Sequence, residues 1–395
     1  MTEKFEGVFD LGTYTTDYHQ LAFDVLENNT EEPELSGCTA VAKILPDGTP
    51  IVGRNMDFYI NHSPYFYGRT EIPGLYKTIF NAIDIFKTTT AERARAEGIT
   101  EELYKVAPYY ALDVMNEYGL FIEDNMRSGE KYPDGKEKFY CSGTNPESDI
   151  RISVAAVPQY LAQRCKTVNE AVAMARQLNI YSLGKTYPHW SICYVMCDAG
   201  GNYGVMELAA NEIIWHPKDC ECGCPSHGAA QANFYITPKY YAIEEMHSGE
   251  GRMALVMSRY DSIQSMDDMA SLMRDLYYGQ TLRPFDECKF DQSSENIGLQ
   301  CMVWSEEEGK PVARKDENGN PIVITNQMVH DPACREMIRE TCNALARSYS
   351  AMSREEIMDM GQLWETRTSA LADCKAKTLT TTYFENPEFT ITRSF

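Results

Sequence analysis

Three side chains early in the chain have the types and spacing for nucleophilic chemistry: Cys38, Arg54 and Asp57. A thiolate is a strong nucleophile, and a nearby cation lowers the pKa of its thiol. If the chain is cut before Cys38, the new α-amine has a pKa of about 8. That amine can act as general base for its own side chain, with the Asp57 carboxylate holding it in place. No catalytic histidine is needed.

The element that must position these groups is a β-hairpin over Ser36–Phe58. Thr39–Leu45 is apolar and partly alternating, Pro46-Asp47-Gly48 is a turn, and Pro50–Asn55 returns. Cross-strand neighbours in such a pair sit about 5 Å apart. Cys38, Arg54 and Asp57 therefore can meet at one end of it. The plain alternative is an ordinary edge hairpin with a buried cysteine.

Cys38-Thr39 followed by Gly53-Arg54-Asn55-Met56-Asp57-Phe58 resembles the start of the mature chain in the choloylglycine hydrolase family. That family contains bile salt hydrolases and penicillin V acylases. The stretch is also similar to that of acid ceramidase and N-acylethanolamine acid amidase. All are N-terminal-nucleophile hydrolases that cleave linear amides. The resemblance implies an α+β fold of four layers, αββα, with two stacked, mostly antiparallel sheets covered by helices. It spans roughly residues 38–304 and the final strands, and is weakest from about 305 to 368.

By the same resemblance further residues join the site. Asn116-Glu117-Tyr118-Gly119 is a turn between strands, and Asn125 at the end of the second is a candidate oxyanion or substrate contact; strand-end turn chemistry is the alternative. The segment Gln231–Tyr240 reads as a strand carrying Asn233, whose amide is expected in an oxyanion hole. Arg252, near the start of an amphipathic helix, matches an arginine beside the thiol, with Arg259 two turns on as the runner-up. Phe58, Tyr59, Tyr65 and Phe66, in an aromatic loop after the hairpin, are candidates for an acyl-binding wall.

Other signals are read more plainly. Thr167-Val168-Asn169-Glu170 is a capping box opening a helix, and Asp198–Asn202 is a turn between two strands. His189 is read as structural, and Glu207 and Glu212 as solvated charges at strand ends. Cys220, Cys222 and Cys224 with His216 and His227 could bind zinc, but the C-x-C-x-C spacing is not the usual paired C-x-x-C. The expectation is a loop of free thiols, no metal and no cofactor.

Residues 1–37 carry nine Asp or Glu against one Lys. They read as a surface-packed extension and, compatibly with that, as a propeptide ending at Gly37, with the hydrolase domain over 38–395. The net charge of −22 argues against nucleic-acid and anionic-membrane surfaces. Thirteen scattered cysteines and a start without a basic, apolar leader suggest free thiols and a cytoplasmic protein. The expected partners are a small-molecule N-acyl amide and further copies of the chain in a homo-oligomer. Two alternatives stay open. One is a cysteine N-terminal-nucleophile dipeptidase, whose usual R-N-E-D is here Arg54-Asn55-Met56-Asp57. The other is a non-catalytic metal or redox protein built on the Cys220–Cys224 loop.

Overall fold

The computed structural model describes residues 1–5, 7–28, 36–59, 63–84, 89–127, 142–182, 191–224, 226–241, 249–277, 300–323, 334, 337, 340, 341, 344 and 364–395. Its strands are β1 (Thr2–Phe5), β2 (Val8–Tyr14), β3 (Ser36–Ile44), β4 (Pro50–Tyr59), β5 (Tyr65–Thr70), β6 (Thr78–Ile83), β7 (Ala111–Asn116), β8 (Phe121–Glu123), β9 (Asn125–Arg127), β10 (Arg151–Ser153), β11 (Asn179–Tyr181), β12 (Ser191–Cys197), β13 (Tyr203–Ala209), β14 (Glu212–Pro217), β15 (Ala230–Gln231), β16 (Met302–Ser305), β17 (Lys310–Ala313), β18 (Trp364–Asp373), β19 (Thr378–Tyr383) and β20 (Asn386–Ser394). Its α-helices are α1 (His19–Asn28), α2 (Ala91–Glu97), α3 (Glu101–Val106), α4 (Val157–Ala162), α5 (Val168–Ala175), α6 (Pro238–Tyr241), α7 (Glu250–Arg259) and α8 (Met266–Asp275).

The larger sheet runs β1-β2-β5-β6-β7-β8-β12-β13-β14, with β9 also on β12; the second runs β15-β3-β4-β18-β19-β20. Every pairing in these two sheets is antiparallel except β2 with β5. Alternation along the hairpin decides which side chain meets which layer. In β4, Arg54 points at the larger sheet, where it meets Asp113 and Glu123. Its neighbours point the other way: Asn55 donates to the carbonyl of Met273 in α8, and a Cβ at Gly53 would lie 2.7 Å from Met269 Sδ. Glycine at position 53 is what lets α8 come this close. On the far side, α4 is tied to the larger sheet by Asn116 of β7, whose amide donates to the carbonyls of Ala162 and Cys165. The layers are therefore helix, sheet, sheet, helix, the αββα order implied by the resemblance.

The hairpin forms as its sequence dictates. Leu45 N donates to Thr49 O and Asp47 Oδ1 accepts from Thr49 N, while Gly48 supplies the positive φ the turn needs. Cys38 pairs with Met56, and Ala40 with Arg54. Val41 and Val52 are fully buried, each contributing about 1.5–3 kcal/mol. Thr167 caps α5 by accepting from Glu170 N, though Glu170 reaches back to Lys166 N, one residue earlier than a reciprocal box requires.

Several expectations change. Residues 1–28 are not a surface layer. They add β1, β2 and α1 to the molecule and bury Val8, Phe9, Leu11, Ala22 and Leu26 in the core. The stretch at Tyr65–Tyr67 is not a loop but strand β5, held between β2 and β6. The charged run at 91–105 is two capped helices, α2 and α3, separated at Gly98. His189 lies outside the described residues.

Candidate active site

β3 carries Cys38 into the interior with no exposed surface, and each of its polar atoms is held by a different residue. Its backbone N donates to Asn233 Oδ1 at 2.6 Å. Its Sγ lies 3.4 Å from Arg54 Nη2. Its carbonyl accepts from Arg252 Nη1 at 2.6 Å. Arg252 comes from the first turn of α7 and binds Asp57 Oδ2 at 3.2 Å, Thr39 Oγ1 at 2.8 Å and Asn233 Oδ1 at 2.9 Å. Asp57 Oδ1 accepts from Thr366 Oγ1 at 2.6 Å, across from it in β18. Thus the structure brings Cys38, Arg54, Asp57, Asn233 and Arg252 together from β3, β4, the segment after β15, and α7.

The two donors on Asn233 Oδ1 fix which way its amide faces: the oxygen is turned to Cys38 N and Arg252, the nitrogen away from them. Asn233 does not sit in a regular strand. β15 ends at Gln231, and side chains take over the backbone groups that follow. Gln231 Nε2 donates to Phe234 O at 2.6 Å, and Glu207 accepts from Ile236 N at 2.7 Å and Thr237 N at 3.0 Å. Glu207 is fully buried, so its reading as a solvated charge is corrected; Glu212 is exposed and pairs with Lys239 at 2.7 Å.

Arg54 stands in a buried ring of three carboxylates that sequence reasoning missed. Its guanidinium is 3.9 Å from Asp113, 3.6 Å from Glu123 and 3.6 Å from Asp124, close approaches too long for hydrogen bonds. It also donates to the carbonyl of Asp124 at 2.9 Å. The adjacent Glu123-Asp124 pair after an apolar strand was a usable signal, but its partner lies about 70 residues away. Burial pushes Glu123 well above the carboxylate range and Asp124 up to about 8, with Arg54 offsetting only part. Burial likewise pushes the Cys38 thiol up to about 11; Arg54 pulls it down, while Asp124, Asp57 and Glu123 push it up. In the intact chain the thiol is therefore neutral at neutral pH.

The Asp124 shift has a stability consequence. Its folded pKa lies above the unfolded value of about 4. The protonated form stabilises the fold below that value, and the contribution is lost as pH rises toward about 8. Asp124→Asn should therefore flatten the fall in stability between about pH 4 and 8 by close to one proton, read from denaturant unfolding across pH. An unchanged slope would show that Asp124 is ionised in the folded chain.

Asn125 is fully buried in β9, and its Nδ2 donates to the carbonyl of Gln231, the register partner of Ala40, at 3.5 Å. Tyr65 and Phe66 expose no surface. The Tyr65 ring packs on Tyr383 and Phe384, and Phe66 packs on Phe9, on the opposite face of β5. Both belong to the same buried core cluster as Cys38. Phe58 and Tyr59 end β4, and their side chains lie outside the described residues.

The two arginines at issue on α7 separate cleanly. Arg252 is 2% exposed in the site, whereas Arg259 forms an ion pair with Asp275 of α8 at the partly exposed end of the helix. Arg252→Ala leaves Asp57 without its buried counter-charge, a loss of about 3–5 kcal/mol in such pairs, and activity in the surviving folded fraction should fall on the order of 10²-fold. Arg259→Ala should cost about 1 kcal/mol or less and leave turnover near normal. Melting curves and kcat on the same preparations check both; a larger activity loss from Arg259→Ala would move the role.

The cysteine loop is more ordered than its spacing suggested. His216 of β14 joins Cys220, Cys222 and Cys224, and the four ligand atoms lie within 4.8 Å of one another; His227 is not among them. Among the described residues no helix is long and apolar enough to cross a membrane.

Among solved structures, the chain is similar to two forms of the conjugated bile acid hydrolase from Clostridium perfringens. A mutant is 11% identical, with a TM-score of 0.41 over 91% of this chain and 92% of that one. A variant is 13% identical, with a TM-score of 0.41 over 90% of this chain and 92% of that one. No protein-family model and no curated protein matches the chain.

Proposed function

We propose that the chain is a cysteine N-terminal-nucleophile hydrolase that cleaves the C–N bond of a linear N-acyl amide. The observation that supports this reading best is the grip on all three polar atoms of Cys38. Asn233 takes its nitrogen, Arg54 its sulfur and Arg252 its carbonyl. An ordinary buried cysteine needs none of these. A residue whose own amine must be held still beside its thiol needs all of them.

In this proposal the chain first cuts itself. Cys38 Sγ attacks the Gly37 carbonyl carbon, the Cys38 nitrogen takes a proton and leaves, and water hydrolyses the resulting thioester. The freed amine stays between Asn233 and Asp57. A Cβ at position 37 would lie 3.3 Å from Asp57 Cβ and 3.4 Å from Arg252 Nη2, so glycine leaves these groups room to hold the bond. Residues 1–37 then remain as a bound fragment, because β2 lies along β5 and buries its apolar face.

Turnover follows the same path on the substrate. The amine takes the thiol proton and later gives it to the leaving amine. Sγ bonds to the acyl carbon as the amide C–N bond breaks, and water releases the acid. The Asn233 amide nitrogen donates to the oxyanion, a contribution of about 3–4 kcal/mol for such a donor. Asp57 directs the amine and is itself held by Arg252 and Thr366. Assays of the purified protein with conjugated bile salts, penicillin V, N-acyl amino acids and dipeptides test the reading. Release of amine from an N-acyl substrate, absent with Cys38→Ala, is the expected result. Turnover of dipeptides alone would favour the dipeptidase instead.

A further inference from the structure

We infer that His216, Cys220, Cys222 and Cys224 form a structural zinc site of the Cys3His type. The chemistry of the donors is what zinc takes: three thiolates and one imidazole, in a closed set of four. Their proximity is not a consequence of sequence spacing alone. His216 arrives from β14, and the loop must turn back to bring the sulfurs to its ring, which it does through positive φ at Asp219 and Gly223. Cys220 Sγ stands 2.6 Å from Cys222 Sγ and 3.2 Å from Cys224 Sγ, and Cys222 Sγ is 3.3 Å from His216 Nδ1. Ligands on a zinc sphere of about 2.3 Å stand about 3.8 Å apart in a tetrahedron. The separations here, from 2.6 Å up to the 4.8 Å limit, bracket that value. The 2.6 Å pair is too long for a disulfide, whose S–S bond is about 2.05 Å.

A second observation is independent of the sulfurs. The other ring nitrogen of His216, Nε2, lies 3.2 Å from Glu207 Oε2 and 2.9 Å from Thr237 Oγ1. A carboxylate on the far nitrogen sets the tautomer, turning the Nδ1 lone pair toward the thiols. This is the arrangement that metal-ligating histidines keep. Three of the four ligands are buried and Cys222 is exposed, so an ion has a way in.

The site has a structural consequence. Glu207 binds His216 and also the backbone of Ile236 and Thr237. Asn233 lies three residues before Ile236. An ion on His216 therefore fixes the end of β14, the cysteine loop and the irregular segment that presents Asn233. Nothing in this inference depends on the hydrolase reading, and its readouts are separate from turnover.

The test uses the full chain, purified under reducing conditions without added chelator. Elemental analysis should find about one zinc per chain. After chelation and reloading with cobalt, the absorption spectrum should show thiolate-to-cobalt charge transfer and the strong visible bands of a tetrahedral ion. Cys222→Ser, at the exposed ligand, should lose or markedly weaken both while its circular dichroism stays native. His216→Gln should act in the same direction. The inference is overturned if the folded protein holds less than about a tenth of an equivalent of zinc and gives no thiolate–cobalt band. It is equally overturned if Cys222→Ser keeps the wild-type zinc content and spectrum, which would place the metal elsewhere. A mass showing a disulfide within residues 220–224, with no metal uptake after reduction, would assign the loop to redox chemistry instead.

Discussion

Cys38→Ala should leave the chain in one piece, folded, and without turnover. The substitution removes both the sulfur that attacks Gly37 and the sulfur that would attack a substrate. It retains the backbone nitrogen and carbonyl that Asn233 and Arg252 hold, so the site keeps its frame. Removing the nucleophile of an acyl-transfer site costs on the order of 10⁶ in kcat. The expected rate is therefore at the background of the assay. The fold should lose little, because a small buried thiol is replaced by a methyl group. Cys38→Ser is the informative companion. It keeps a weaker nucleophile of similar size, and should cut itself slowly or not at all. A Cys38→Ala protein with measurable turnover would exclude Cys38 as the nucleophile.

Asp57→Asn should fold and lose turnover by about 10²–10⁴-fold, the usual worth of general acid–base assistance. The damage belongs in kcat. Asp57 holds Arg252 and Thr366 beside Cys38, where it acts on the amine rather than on the acyl group. Asn keeps the shape and the hydrogen bond from Thr366 but loses the charge that holds an ammonium group and raises its pKa. The acidic limb of the kcat profile, set by the amine that must be unprotonated to act as base, should also shift to lower pH. The competing reading makes Asp57 a packing residue that steadies β4 against β18. It predicts a lower melting temperature with near-normal kcat. Both quantities, measured on one preparation, separate the two readings.

The hairpin was legible because its signals are local. Alternation in β3, the Pro46-Asp47-Gly48 turn and the Arg54–Asp57 offset all lie within about 20 residues. The position of Arg252 at the start of α7 was legible for the same reason, since a helix start has a local pattern. Other parts were hidden by burial on both faces. The run Tyr65–Thr70 is almost wholly buried, so it shows no period-two alternation and reads as an aromatic loop rather than a strand. The acidic composition of residues 1–28 concealed a sparse apolar set, Val8, Leu11, Phe23 and Leu26, that seats β2 and α1.

Buried charge was the least legible feature. Glu207 read from sequence as solvated, because acidic residues usually are, and Glu123 and Asp124 drew no reading of their own. Arg54, far away in the chain, is the partner of Glu123 and Asp124, while Glu207 is held by the backbone at 236–237 and by His216 of the adjacent strand. The cysteine loop was half legible: the C-x-C-x-C spacing is a poor zinc signal, and only the fold separates His216, whose ring meets the three sulfurs, from His227, whose ring does not.

The central claim is that the working nucleophile is an N-terminal cysteine. It is tested most directly by weighing active wild-type protein twice, once under denaturing and once under native conditions. The account predicts two chains on denaturation, one beginning at Cys38 and one ending at Gly37, which travel together as a single species in the native spectrum. An active protein in which the Gly37–Cys38 bond is intact would contradict it, because no free amine would stand beside the thiol.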